Sequence, residues 1–221
     1  MVALLPRIAM NTTDDLASRS TRMRYAADVE ALGVSVWRED ASRADGAVFG
    51  GTAWRWYSAE PCHPFLAVAQ GKIANPLVLI DELEKAATRS EYGRLWDCLL
   101  AFLEPETNAR SPDPALQTTL DLSQVSYVAT ANSLAPLPGP IRDRFRVVTF
   151  PKAAATDLDA LLPAVIADLA NERGLDRVWL PPLSKIEHTA VARYWRGGSV
   201  RRLRRIIEAI LHERDLRAVR H

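Results

Sequence analysis

The sequence predicts an α/β fold in two parts: a parallel sheet flanked by helices over residues 1–151, then a small α-helical domain over 152–221. Three observations carry that prediction. Leu77-Val78-Leu79-Ile80 is an uninterrupted aliphatic run ending in Asp81-Glu82, and a strand buried on both faces reads as a continuous apolar run rather than an alternation. Gln124 to Thr130 and Phe145 to Phe150 are two further strand-like runs, with helical pattern between them and the first, the order expected of parallel strands joined by helices. Beyond Pro151 only helical patterning remains, over about 156–172, 183–194 and 199–215.

Residues 1–21 are weakly patterned, and Asn11-Thr12-Thr13-Asp14-Asp15 reads as a turn or a helix start. A helix is expected from about Ser20 to Leu32, with Gly33 as its stop. Val34 to Trp37 is strand-like, and Ala44 to Pro64, rich in Gly, Pro and aromatics, reads as loop. Phe65 to Gln70 is expected to be helical and leads through Asn75-Pro76 into the aliphatic run. Tyr92 to Leu103 carries Leu95, Trp96, Leu99, Leu100 and Leu103 on one helical stripe.

The 221 residues suffice for one large or two small domains, with an ordinary soluble composition of 48% hydrophobic and 25% charged residues. A net charge of +1 gives no global argument for a nucleic-acid or membrane partner. Cys62 and Cys98 lack metal-ligand spacing, which fits a reducing compartment. No apolar run approaches the roughly 18–20 residues that span a bilayer, and Met1 to Arg7 is too short for a signal peptide. The expected location is cytoplasmic, with no membrane partner.

Two adjacent acids at the carboxyl end of a buried strand stand where open α/β sheets bind ligands, and they are costly there unless a cation or a reacting group uses them. A helix cap is the plain alternative. Asn132, just past the second strand, is either a turn residue or a group that positions water beside Asp81-Glu82. Arg142, Arg144 and Arg146 flank Asp143 before the third strand, either as a solvated basic loop or as guanidiniums presented to a neighbouring subunit's nucleotide. Trp54, Trp56 and Tyr57 crowd a Gly-rich loop, either packed in a core or displayed for use.

From Arg193 to the end nine arginines face only Glu208, Glu213 and Asp215. Apolar positions 200, 203, 206, 207 and 210 make this an amphipathic helix, with Arg201 near its start. Without interleaved aromatics the basic face gives DNA binding weak support. No chemistry is assigned to His63, His188, His212 or His221. The phosphate-cradling G-x-x-x-x-G-K-[ST] is absent: residues 1–32 contain neither glycine nor lysine, and Asp15 to Arg22 stand where it would fall.

Four segments carry a resemblance: Asn75 to Lys85, Leu103 to Asn108, Asp121 to Ser133, and Asp143-Arg144. Together they resemble an AAA+ ATPase module of P-loop NTPase type, similar to the ATPase part of Lon proteases, over about 33–211. The resemblance implies Asp81 and Glu82 as the Walker B pair, for Mg²⁺ and for catalysis. It further implies Asn132 as sensor 1, Arg144 (with Arg142 its rival) as arginine finger, and Arg201 as the sensor 2 arginine. Trp56, with Tyr57 beside it, falls where the family has an aromatic pore loop gripping polypeptide. ATP and Mg²⁺ are the implied cofactors, and the family forms rings, usually hexamers. The implied function is ATP hydrolysis coupled to protein remodelling, without the Ser-Lys peptidase domain. The alternatives are a non-hydrolysing subunit that lends a finger to an intact AAA+ partner, and a DNA-binding AAA+ protein.

Overall fold

In the computed structural model residues 2–5, 34–87, 91–149, 152–175 and 181–218 are described. The expected helix over 20–32 and the residues standing in place of the phosphate loop lie outside them. The described residues fall into two compact units, separated between 149 and 152.

The first unit is built on a five-stranded sheet in the order β2-β3-β6-β1-β7. Its strands are β1 (Val2–Leu5), β2 (Val36–Asp40), β3 (Leu77–Asp81), β6 (Ser126–Ala131) and β7 (Arg146–Thr149). β3 is parallel to β2 and to β6, with Asp40 opposite Asp81 and Ile80 opposite Ala129. Alternation along β3 divides its side chains between two faces. Val78 and Ile80 enter the main core with Phe49, Leu95, Leu99 and Phe102, while Leu77 and Leu79 pack with Val128 on the other face. The continuous aliphatic run is thus a strand with both faces covered.

β1 departs from the parallel expectation. It lies between β6 and β7 and runs antiparallel to both, Val2 opposite Ala131 and Leu5 opposite Arg146. The amino end of β1 therefore sits beside the carboxyl end of β6. Nothing in the pattern of residues 1–21 marked a strand, because four residues show no periodicity and their neighbours in the sheet are remote in sequence.

Helices flank the sheet. α1 (Gly46–Gly50), within the segment read as loop, is capped by the Asp45 carboxylate, which accepts from the Val48 N–H. Its glycines obscured it, and packing explains one of them: a Cβ on Gly50 would lie 2.6 Å from Cys98 Sγ. α2 (His63–Gly71) carries Pro64 in its first turn and is capped by Lys72 in a left-handed conformation. α3 (Leu95–Leu103) buries Leu95, Trp96, Leu99 and Phe102 on one stripe. A short α4 (Pro105–Asn108) leads into the hairpin β4 (Ser111–Asp113) and β5 (Thr118–Leu120), and α5 (Gly139–Arg144) precedes β7.

The second unit holds the ladder β8 (Ala153–Ala154) and β9 (Gly197–Gly198) and the helices α6 (Leu158–Glu172), α7 (Lys185–Tyr194) and α8 (Val200–Ala218). Its core joins Leu162, Val165 and Leu169 of α6 to Val191, Trp195, Leu203, Ile207 and Leu211. α7 opens with a capping box: Ser184 Oγ accepts from the Glu187 N–H, and the Glu187 carboxylate accepts from the Ser184 N–H. Arg214 binds the same carboxylate through Nε at 2.6 Å and donates to the Pro181 and Pro182 carbonyls at 3.0 and 3.1 Å.

The Arg214 hydrogen bond, supported by those from Ser184, depresses the Glu187 carboxyl to about 2. A depressed carboxyl stabilises the fold above the unfolded value of about 4.3, and that stabilisation fades as pH falls toward 2. Thermal melts of the helical signal from pH 7 to pH 3 are therefore expected to show Tm falling below about pH 5. The fall is shallower in Glu187→Gln, and parallel curves for the two proteins would contradict the assignment.

Candidate functional site

The carboxyl edge of β3 is organised by a residue that sequence reading passed over. Because Ile80 lies opposite Ala129, Thr130 follows beside Asp81. Its hydroxyl donates to Asp81 Oδ1 at 2.5 Å and accepts from the Glu82 N–H at 3.2 Å. Thr130 is 6% exposed, so the bridge is made where water competes little. The available signal was a hydroxyl residue closing an otherwise apolar run, Tyr127-Val128-Ala129-Thr130.

Glu82 ends the strand with φ 56 and ψ 47, a left-handed conformation that costs a non-glycine residue about 1–2 kcal/mol. The turn is held from below. Leu83, fully buried, begins the 3₁₀ turn Leu83–Lys85, and its carbonyl accepts from the Trp96 indole N–H at 3.2 Å. Within that turn Lys85 Nζ donates to Glu82 Oε2 at 2.8 Å, and this hydrogen bond raises the Lys85 ammonium above its ordinary value. Asp40 stands across the ladder from Asp81; hydrogen bonds from the Ser42 hydroxyl and N–H hold its carboxyl below the usual range.

Asn132 lies immediately past β6, and its Nδ2 donates to Glu84 Oε1 at 2.7 Å. The second oxygen of Glu84 is buried without a hydrogen-bond partner. Asp81, Glu82 and Asn132 are thus brought to one edge through Thr130 and Glu84. Arg144, at the end of α5, forms an ion pair with Glu104 at the α3–α4 junction, and Arg142 is exposed on the same short helix. Arg201 is exposed on the first turn of α8, in the second unit.

The aromatic loop is displayed rather than packed: Trp54, Trp56 and Tyr57 are 61%, 62% and 109% exposed. Its base is closed by Thr52, whose N–H donates to the Glu60 carbonyl at 2.9 Å while its hydroxyl accepts from the Glu60 N–H at 2.8 Å. His63 lies elsewhere, its Nδ1 2.5 Å from Glu39 Oε2.

A hard divalent cation such as Mg²⁺ takes one or two protein carboxylates and completes its shell with water and phosphate oxygens. The Asp81 carboxylate, held by the Thr130 hydroxyl, and the Glu82 carboxylate, held by Lys85, with the orphaned Glu84 oxygen nearby in the chain, have the donor chemistry for that role. The phosphates of ATP fare differently. A phosphate-binding P-loop follows the carboxyl end of a strand and uses glycine amides and a lysine. β1 presents its amino end at this edge, and residues 1–32 hold no glycine or lysine. Among the described residues, none at this edge supplies the glycine amides and lysine that would cradle the phosphate chain of a nucleotide.

No family model matches the chain. It is 31% identical over 173 residues to "Lon protease homolog, mitochondrial" of Caenorhabditis briggsae, covering 78% of this chain and 18% of that relative. It is 35% identical over 153 residues to "Lon protease homolog 4, chloroplastic/mitochondrial" of Arabidopsis thaliana, covering 66% of this chain and 16% of that one. Its fold is similar to that of Hsp104, solved in a closed state with ATPγS and FITC casein: TM-score 0.66 at 14% identity, over 94% of this chain and 40% of the other. The chain is an AAA+ module resembling the ATPase region of Lon proteases. The α/β unit of this AAA+ module has the P-loop NTPase-like fold, and the module spans less than a fifth of the Lon relatives' length.

Removing the Thr130 hydroxyl leaves Asp81 and the Glu82 N–H without their shared partner, and such a loss costs about 1–3 kcal/mol. Urea unfolding of Thr130→Val is expected to show a loss of that order, with Thr130→Ser close to wild type. A Thr130→Val protein as stable as wild type would contradict the bridge.

Proposed function

We propose that this AAA+ module is a subunit of a Lon-like, ring-forming protein-remodelling assembly, and that it grips unfolded polypeptide through Trp56 and Tyr57. The observation that carries the reading is the loop closed at Thr52, which holds three large aromatic side chains in water. Burying such side chains against a partner is worth about 1.5–3 kcal/mol each, and leaving them exposed without a use is a liability.

ATP hydrolysis coupled to remodelling is the activity that the family resemblance implies. Toward it this chain offers Asp81 as the residue that would hold Mg²⁺, with Glu82 and Asn132 beside it and Arg201 on the helical unit. Its described residues offer no cradle for the phosphates. The direction of β1 therefore favours a subunit that does not turn over nucleotide alone and that lends Arg144, or Arg142, to an intact AAA+ partner. In that reading Arg144 exchanges its Glu104 carboxylate for phosphate oxygens of the neighbour, a geometry suited to a guanidinium. Near-neutral net charge and a basic helix without interleaved aromatics argue against nucleic acid as the cargo, and the cytoplasm is the proposed location.

Fluorescence anisotropy of fluorescein-labelled denatured casein tests the polypeptide reading. Wild type is expected to bind it and Trp56→Ala to bind about tenfold more weakly, an ordinary effect for losing one buried aromatic anchor. Absence of binding by the wild-type chain would contradict the reading. Adding the chain to an intact Lon-like AAA+ subunit is expected to raise ATP turnover, with the increment lost in Arg144→Ala. An undiminished increment in that variant would remove Arg144 from the role.

A further inference from the structure

The aromatic loop is not held by its own bonds alone. The Trp54 N–H donates to the Pro114 carbonyl at 3.0 Å, which ties the front of the loop to the turn of the β4–β5 hairpin. The chain leaving the loop is tied to the same hairpin: the Cys62 N–H donates to Asp113 Oδ2 at 2.8 Å. The other oxygen of that carboxylate accepts from the N–H groups of Ala115 and Leu116, at 2.9 and 2.8 Å. The Asp113 carbonyl accepts from Gln117, whose φ of 53 closes the turn.

Asp113 is only 3% exposed. A carboxylate so deep in the protein is tolerated only when its lone pairs are met. Here three backbone amides meet them, one from the end of the aromatic loop and two from the hairpin turn. Gly51 shows how closely these segments approach: its φ is +88, and a Cβ there would lie 2.9 Å from the Cys62 nitrogen. At the hairpin turn Leu116 is 40% exposed, on the segment that accepts the Trp54 amide. The exposed cation in the loop is Arg55.

We propose that the β4–β5 hairpin is a second polypeptide-contacting element, joined to the aromatic loop by Asp113 as a positioning residue. Leu116 extends the surface formed by Trp54, Trp56 and Tyr57, and Arg55 biases it toward unfolded segments in which apolar side chains alternate with acidic ones. The inference rests on the polypeptide reading above and adds to it a residue and an element outside the aromatic run. One shared carboxylate fixes both segments before binding, which lowers the ordering cost of engaging a flexible chain.

The test uses the full chain and the same labelled, denatured casein, itself acidic. Leu116→Ser is expected to weaken binding about five- to tenfold without lowering Tm, and Leu116→Met to restore it, because Met keeps the apolar contact. Asp113→Asn replaces one acceptor oxygen by a donor. It is expected to speed hydrogen exchange at the Trp54 and Cys62 amides and to weaken casein binding, whereas Leu116→Ser leaves exchange there unchanged. If Leu116→Ser binds as wild type while Trp56→Ala does not, the hairpin is no contact element and the aromatic-loop reading survives. Unchanged exchange at Trp54 and Cys62 in Asp113→Asn removes the positioning role. Failure of the wild-type chain to bind casein overturns the parent reading and this inference together.

Discussion

The structure of the candidate site depends on one hydroxyl. The Thr130 hydroxyl donates to the Asp81 carboxylate and accepts from the Glu82 N–H, so the Asp81 side chain and the Glu82 backbone are fixed by a residue of the neighbouring strand. β3 is followed by a left-handed turn at Glu82. The turn in turn stands on the core, through buried Leu83 and the Trp96 indole that binds its carbonyl. A polar edge is thereby mounted on an apolar sheet with few flexible links between the two. Lys85 and Glu84 then take up Glu82 and Asn132 respectively, so the acidic turn and the end of β6 form a single hydrogen-bonded group.

The strand between β6 and β7 decides what this edge lacks. In a phosphate-binding α/β unit, a parallel strand delivers its loop to the carboxyl edge, and the amides of the following helix meet the anion. Here that place is filled by Val2–Leu5 running the other way. The backbone pairing of the sheet is satisfied, since an antiparallel strand forms its ladders as readily as a parallel one. The consequence is chemical rather than architectural. Five of the described strands form one continuous sheet, and among the described residues its edge carries acids that suit a cation rather than the glycine and lysine donors that suit a triphosphate.

Where the sequence was legible, the reason is periodicity or a strong local signal. The run at Leu77 to Ile80 reads as a buried strand because both its faces are covered, and the stripe Leu95, Trp96, Leu99 reads as a helix because one face is. Ser184 with Glu187 marks the start of α7 by a capping box. The position of Asn132 past its strand was legible for the same reason as the strand itself. What stayed hidden depends on partners remote in sequence. Asp113 reads as an ordinary turn aspartate until the Cys62 amide is found on it, and Thr130 as a strand residue until the register places it against Asp81. α1 was lost behind its glycines, of which Gly50 serves close packing on Cys98. The exposure of Trp54, Trp56 and Tyr57 was undecided by composition, since core and display ask for the same residue types.

The described residues hold an organised carboxylate edge, and the proposed reading is that it stands without a cradle for the nucleotide whose metal it would hold. Calorimetric titration of the isolated wild-type chain with ATP at millimolar concentration, in excess Mg²⁺, tests that reading most directly. No saturable binding of nucleotide is expected. A saturable, one-to-one isotherm would contradict the reading and would place a phosphate site on this chain that β1 and residues 1–32 do not supply.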